Sequence, residues 1–311
     1  MKAITISNSA VTIADDSLAR FVVEWIKFAD VKQSTQRNYN KALKRFFVYL
    51  RNNEIVQPDR VDVINFRDSL LLTCKPSTVQ LYLTSVKLFF RFLAANGYYQ
   101  NVADHVKSVK VDHEHKKDAL TVEDSKRVLK QIDRTKPEGK RNVTIIALMM
   151  TCGLRSIEVV RANVGDIEKT QGKTFLKVHG KGRDGKVDRV LIPPQIENLI
   201  NEYLETRADR ADDSPLFVSL SNRNKGSRLT TQTISKLTKK SFRAVGLNTP
   251  RLTCHSCRHT AATVMLNNGV DIADVQMILR HKNINTTQIY RHDISRMKNT
   301  GEATAANAIL G

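Results

Sequence analysis

Val143-Thr144-Ile145-Ile146-Ala147-Leu148-Met149-Met150-Thr151-Cys152-Gly153-Leu154-Arg155-Ser156-Ile157-Glu158 reads as a core element, a stop and a presented charge. Residues 143–150 are almost unbrokenly apolar, too short to span a bilayer, and predict a helix packed in a core. Gly153 can end that helix, because glycine adopts the left-handed backbone of a helix terminus without steric cost. Arg155 follows at the start of another helix. Glu158, three residues on, falls on the same face and can hold the arginine in position.

Downstream of this stretch the periodicity changes. Thr174–Val178 and Val187–Ile192 read as strands, joined by the turn Gly180-Lys181-Gly182-Arg183-Asp184-Gly185 and ended by Pro193-Pro194. Helical signals return from Gln195, with Gly246 and Gly269 as stops. Upstream, Thr121 and Asp124 form a cap ahead of Val128, Leu129 and Ile132.

The first hundred residues predict four short helices, each with one apolar face. Asp15-Asp16-Ser17 suits a cap before Phe21, Val22, Trp25 and Phe28. Ser34 suits a cap before Tyr39, Leu43, Phe46, Phe47 and Leu50. Asp59 opens a third helix, and Pro76 a fourth that stops at Asn96-Gly97. Such helices make a compact bundle, with the aromatic stripe as core packing and not a base-stacking platform.

The expected fold class is therefore mainly α and multidomain. A four-helix N-terminal domain precedes a mostly helical second domain carrying a small antiparallel β-sheet. The expected boundaries are an extension over 1–14, a helical domain over 15–106, a polar linker over 107–118, a second domain over 119–294 and a tail over 295–311. His113-Glu114-His115 alternates possible metal ligands, but with no further ligand near in sequence it reads as solvated linker.

The formal net charge is +19, with an excess of +6 over residues 1–112 and +13 over 113–311. The basic residues are threaded through folded segments and are not gathered on one amphipathic helix, which disfavours a membrane-surface role. Nucleic acid is the better-fitting partner, since neutralising phosphates releases counterions whatever the base sequence. The N-terminus lacks the apolar core of a signal peptide, and four cysteines without a regular framework predict a reducing, cytoplasmic setting.

The chemistry-bearing residues are few and dispersed. Tyr290, in Asn285-Thr286-Thr287-Gln288-Ile289-Tyr290-Arg291-His292, can serve as an oxygen nucleophile if cations and hydrogen bonds favour its phenolate; alternatively it bridges a helix face to solvent. Arg155 and Arg258 can each span two phosphate oxygens with a planar fork, or else are surface or ion-paired residues. His255 and His281 are candidate proton handlers or oxygen ligands; a histidine near a helix start is otherwise a cap or core residue. Arg258 lies one turn after His255, so the two share a face. His259 ranks lower, as a supporting or packing residue. Lys181 sits at a hairpin tip, where most lysines are solvated, but a mobile cationic tip can reach into a DNA groove and protonate a leaving 5′-oxygen. Cys254-x-x-Cys257 with a neighbouring histidine is the competing metal or redox reading, weakened because Cys74 and Cys152 lie far off in sequence.

Taken in order, Arg155, Lys181, His255/Arg258, His281 and Tyr290 resemble the tyrosine recombinase family of phage integrases and Xer-type enzymes. Thr151 to Glu158 matches its T-x-G-L-R-x-x-E pattern, Gly180-Lys181-Gly182 its hairpin, and His281 to Tyr290 its final box. Residues 15–105 fit the family's SAM-like core-binding domain by pattern and position. Two residues depart from the pattern: Cys257 replaces a common leucine, and Leu279-Arg280-His281 replaces Leu-Gly-His, with Arg280 expected to add a DNA-backbone contact. The segment before Asp15 is expected to be too short for an arm-binding domain.

The resemblance implies attack by Tyr290 to give a 3′-phosphotyrosyl link. Arg155, Arg258 and His281 would stabilise the phosphate, Lys181 would act as general acid and His255 would support proton movement, with Glu158 and His259 behind them. It implies no cofactor, metal or ATP, and implies a homotetramer on paired double-stranded DNA sites passing through a Holliday junction. The role would be integration or excision of a mobile element or Xer-type dimer resolution, with accessory or Xer partner proteins. The tail would be exchanged between protomers, anchored by Ile309-Leu310. Two rival readings are a type IB topoisomerase and a non-catalytic DNA-binding regulator, the latter drawing on a helix-turn-helix-like Asp271–Arg280 and Asn285–His292.

Overall fold

The computed structural model describes residues 15–111, 118–179, 187–281 and 307–310. The chain divides into two compact units, Met1–Glu114 and His115–Gly311, each with its own hydrophobic core.

In the first unit, α1 (Asp15–Phe28), α2 (Gln33–Asn52), α3 (Arg60–Leu71) and α4 (Pro76–Ala95) form a bundle in which α4 packs on each of the other three. Asp59 caps α3: its carboxylate accepts from Val61 N at 2.7 Å and Asp62 N at 3.0 Å, and Asp62 returns a bond to Asp59 N at 2.9 Å. Asp15, Asp16 and Ser17 form the first turn of α1. Ser34 is not a cap: α2 begins one residue earlier, where the carbonyl of an extended Lys32 accepts from Thr35 and Gln36. At 20 residues each, α2 and α4 also outrun the short helices expected. Phe46 meets Phe66 and Phe90 edge-on, and Trp25 meets Phe89 likewise, so the aromatic stripe is core.

The described ends of the polar segment are tied down. Lys107 O accepts from Arg67, Val109 N donates to Gln80, and Asp118 accepts from Arg251 in the second unit at 2.8 Å. His113-Glu114-His115 lies outside the described residues.

The second unit contains α5 (Val122–Lys130), α6 (Pro137–Thr151), α7 (Ser156–Arg161), β1 (Ile167–Thr170), β2 (Lys173–His179), β3 (Val187–Ile192), α8 (Pro194–Leu204), α9 (Thr231–Ala244), α10 (Cys254–Asn267) and α11 (Ile272–Leu279). Every residue from Val143 to Met150 is buried, because α6 is packed by α8 and α10. The antiparallel sheet runs β1-β2-β3, with Leu176 opposite both Ile167 and Val190. Thr174, Leu176 and Val178 face the core in strict alternation. Sequence reading missed β1, which is short and half exposed; its signal was the tight turn at Gln171-Gly172, both at positive φ. The sheet delivers the chain to residues 180–186, the segment bearing Lys181, from His179 paired with Val187.

Among the described residues no helix is long and apolar enough to cross a membrane. Residues 307–310 are helical, with Ile309 79% and Leu310 85% exposed.

Candidate active site

Gly153 ends α6 at φ +62°, and the chain turns at once into α7 with Arg155 as its first flanking residue. Glu158 then secures Arg155 twice. Arg155 N donates to Oε2 at 2.8 Å and the guanidinium Nη1 donates to Oε1 at 2.7 Å. The Arg155 side chain stays 26% exposed while Glu158 is fully buried, so one end of the pair is anchored and the other can reach a substrate. Burial works against the Glu158 charge. It is outweighed by Arg280, by the Arg155 backbone N–H and by the Arg155 guanidinium, which together hold the carboxyl below its usual range.

Arg258, on α10, is buried and donates to the carbonyls of Gly153 and Leu279. One guanidinium thus stitches the end of α6 to the end of α11. His255 lies a turn earlier on α10 and is exposed; His259, beside Arg258, is half-buried.

Arg280 departs from expectation. It ends α11 in the left-handed region at φ +56°, ψ +44°, a conformation costing about 1–2 kcal/mol for a residue with a Cβ. Its side chain is only 7% exposed and turns inward. Nη2 donates to Glu158 Oε2 at 2.8 Å, Nη1 to Ile278 O at 2.6 Å, and the Arg280 carbonyl accepts from Arg155 Nη2 at 3.2 Å. The buried carboxylate was the unread partner that drew it inward.

His281 follows directly. Burial, then the charges of Arg258, Arg155 and Arg280, push its pKa down to about 3 against a smaller opposing effect of Glu158. Its imidazole is neutral across ordinary pH and can donate a hydrogen bond without adding charge. Because the folded value lies below the unfolded one, the unfolded chain binds more protons between about pH 3 and 6.5, and this residue lowers stability as pH falls through that window. In histidine-labelled protein, the imidazole signals assigned with His281→Gln should stay neutral from about pH 5 to 8. Half-titration between about pH 6 and 7 would contradict the geometry.

The structure therefore brings together Arg155, Glu158, Arg258 and His281 and adds Arg280. Lys181 and Tyr290 lie outside the described residues. Cys254 and Cys257 are buried in α10, and burial raises both thiols, so packing accounts for them. Gly153 is required on two grounds: its positive φ, and a Cβ there would sit 2.4 Å from buried Leu279 Cδ2. Gly153→Ala should lower the melting temperature by roughly 2–6 °C. An unchanged melt would remove Gly153 from this role.

The phage integrase family matches residues 118–296, and the phage integrase N-terminal SAM-like domain matches residues 20–97. Tyrosine recombinase XerD of Lacticaseibacillus casei is 30% identical over 281 residues, covering 87% of this chain and 93% of the relative. That of Staphylococcus haemolyticus (strain JCSC1435) is 28% identical over 285 residues, with the same coverages. Among solved structures, the post-cleavage complex of XerH site-specific recombinase with a palindromic difH substrate shares the fold. Its TM-score is 0.72 at 22% identity, over 96% of this chain and 90% of that one. The chain belongs to the phage integrase family, and is a site-specific tyrosine recombinase that cleaves and religates DNA.

Proposed function

We propose that this enzyme cuts a specific duplex site by attack of Tyr290 on the scissile phosphorus. The Tyr290 oxygen–phosphorus bond forms and the bond to the 5′-oxygen breaks, leaving a 3′-phosphotyrosyl link and a free 5′-hydroxyl. Arg155 and Arg258 offset the charge growing on the non-bridging oxygens, and neutral His281 donates a further hydrogen bond. Lys181 gives its proton to the departing 5′-oxygen, and His255 takes up the phenol proton. The reverse steps rejoin a strand, and because the covalent link retains the phosphodiester energy no nucleotide need be spent.

The observation that carries this reading is the clustering of Arg155, Arg258 and His281. The carbonyls of Gly153, Leu279 and Arg280 hold the two arginines, and His281 follows directly behind Arg280. Four copies on two sites, exchanging strands through a Holliday junction, fit the reading, and exposed Ile309 and Leu310 are an apolar pair suited to a neighbouring protomer. The structure of a lambda integrase tetramer bound to a Holliday junction, which shares the fold at 15% identity, gives that assembly a precedent. The setting is the cytoplasm and the role integration, excision or dimer resolution, with partner recombinases or accessory proteins setting direction.

Incubating the full chain with sheared host DNA, trapping adducts with detergent and sequencing the protein-bound ends tests this. Cleavage gathered at a few inverted-repeat sites, with protein on 3′ ends, is expected. Scattered cleavage without a shared sequence would favour topoisomerase-like relaxation, and no adduct at all would favour a DNA-binding regulator.

A further inference from the structure

We propose that Arg280 is a positioning residue for the cleavage reaction: by sharing buried Glu158 with Arg155 it offsets that carboxylate's charge and leaves a net positive charge at Arg155 for the phosphate. This rests on Arg155 being a phosphate-binding arginine, as proposed above.

Glu158 is fully buried and carries a negative charge at the back of the site. With Arg155 as its only partner, the carboxylate would offset part of the guanidinium's charge, and the positive field at the phosphate would be weaker. Arg280 changes this. Its Nη2 lies 2.8 Å from Glu158 Oε2, whereas Arg155 Nη1 holds the other oxygen, Oε1, at 2.7 Å. Two guanidiniums share one carboxylate, and a net positive charge remains at the pair. In a buried setting that surplus acts through a low dielectric and is weakly screened.

The backbone supports the same role. Arg280 occupies a left-handed position, where glycine fits without strain, yet carries the largest of the basic side chains. The conformation aims the Arg280 carbonyl at Arg155 Nη2 while the side chain doubles back onto Glu158. Arg280 Nη2 also approaches the Gly153 carbonyl, the one that Arg258 bonds. Residue 280 thus touches Arg155 through its backbone, Glu158 through its side chain, and the acceptor of Arg258. Its Nε is buried without a hydrogen-bond partner among the described residues, which a side chain kept for stability alone would not favour.

The test compares Arg280→Gly, Arg280→Lys and Arg280→Gln in the full chain, on a nicked suicide duplex carrying the mapped cleavage site. Arg280→Gly restores an unstrained backbone. It should bind the uncut duplex as the parent does yet form covalent adduct about tenfold to a hundredfold more slowly. Arg280→Lys, which keeps the charge, should recover part of that loss, and Arg280→Gln should not. Arg155→Ala combined with Arg280→Gly should be little slower than Arg155→Ala alone, because Arg280 acts through Arg155. Loss of Arg280 also removes a positive charge facing Glu158 and His281, beside those of Arg155 and Arg258. The acid limb of the cleavage-rate profile should therefore move to higher pH.

Cleavage at the parental rate by folded Arg280→Gly overturns the proposal, as does a lysine variant no faster than the glutamine one. If Arg280→Gly fails to fold, the lysine–glutamine comparison decides alone. Should Arg155→Ala itself cleave at the parental rate, the reading of Arg155 fails, a result distinct from failure at Arg280.

Discussion

Tyr290→Phe should bind its duplex with parental affinity and form no covalent adduct. The change removes one oxygen and leaves the ring, so protein–DNA packing is retained while the attacking atom is lost. In enzymes that pass through a covalent intermediate, removal of the nucleophile lowers turnover by on the order of 10⁴-fold or more. An effect that large separates a nucleophile from a tyrosine that merely contacts DNA. Gel-resolved adduct on a nicked suicide duplex, alongside binding to the intact one, measures both halves. Residual adduct above a hundredth of the parental amount would remove Tyr290 from the role.

Replacing Arg155 or Arg258 by alanine should slow cleavage by about 10²–10³-fold, the range for deleting one preorganised donor at a developing oxyanion. The two variants should differ in stability. Arg155 is partly exposed, and its loss leaves Glu158 paired with Arg280, so the fold should be little affected. Arg258 is buried, and its loss strands the carbonyl of Leu279 and leaves that of Gly153 with only a long contact from Arg280 Nη2, costing roughly 1–3 kcal/mol. Arg258→Ala should thus lose activity and melt early, whereas Arg155→Ala should lose activity alone. Equal melting of the two would contradict the strut assigned to Arg258, and parental cleavage by either would remove it from the site.

Much of the helical framework could be read from residues whose local physics is decisive. Asp59, Pro76 and Thr121 open helices where capping and fixed φ dictate, and Gly97, Gly153, Gly246 and Gly269 follow helix ends at positive φ. Ser34 misled because a backbone carbonyl did the work a hydroxyl was expected to do. Strand β1 was missed because three of its four residues are polar, and only the Gln171-Gly172 turn betrayed it.

At the site, Arg155 with Glu158 was legible because residues three apart on a helix are neighbours in space. Arg280 was not. Its 122-residue separation from Glu158 gives no local signal, and an arginine at a glycine-like position suggests an outward side chain until the buried carboxylate is placed. The same limit applies to the positive charge. Arg141, Arg207 and Arg228 bond backbone carbonyls inside the second unit, so part of the basic excess braces the fold rather than meeting DNA.

The central claim is that the side chains gathered by Gly153, Leu279 and Arg280 serve a phosphate attacked by one phenol. Digesting the trapped adduct and sequencing its peptides by mass spectrometry tests that most directly. The account predicts a single modified peptide, with a 3′-phosphorylated nucleotide on the Tyr290 oxygen. A nucleotide on any other side chain would contradict it.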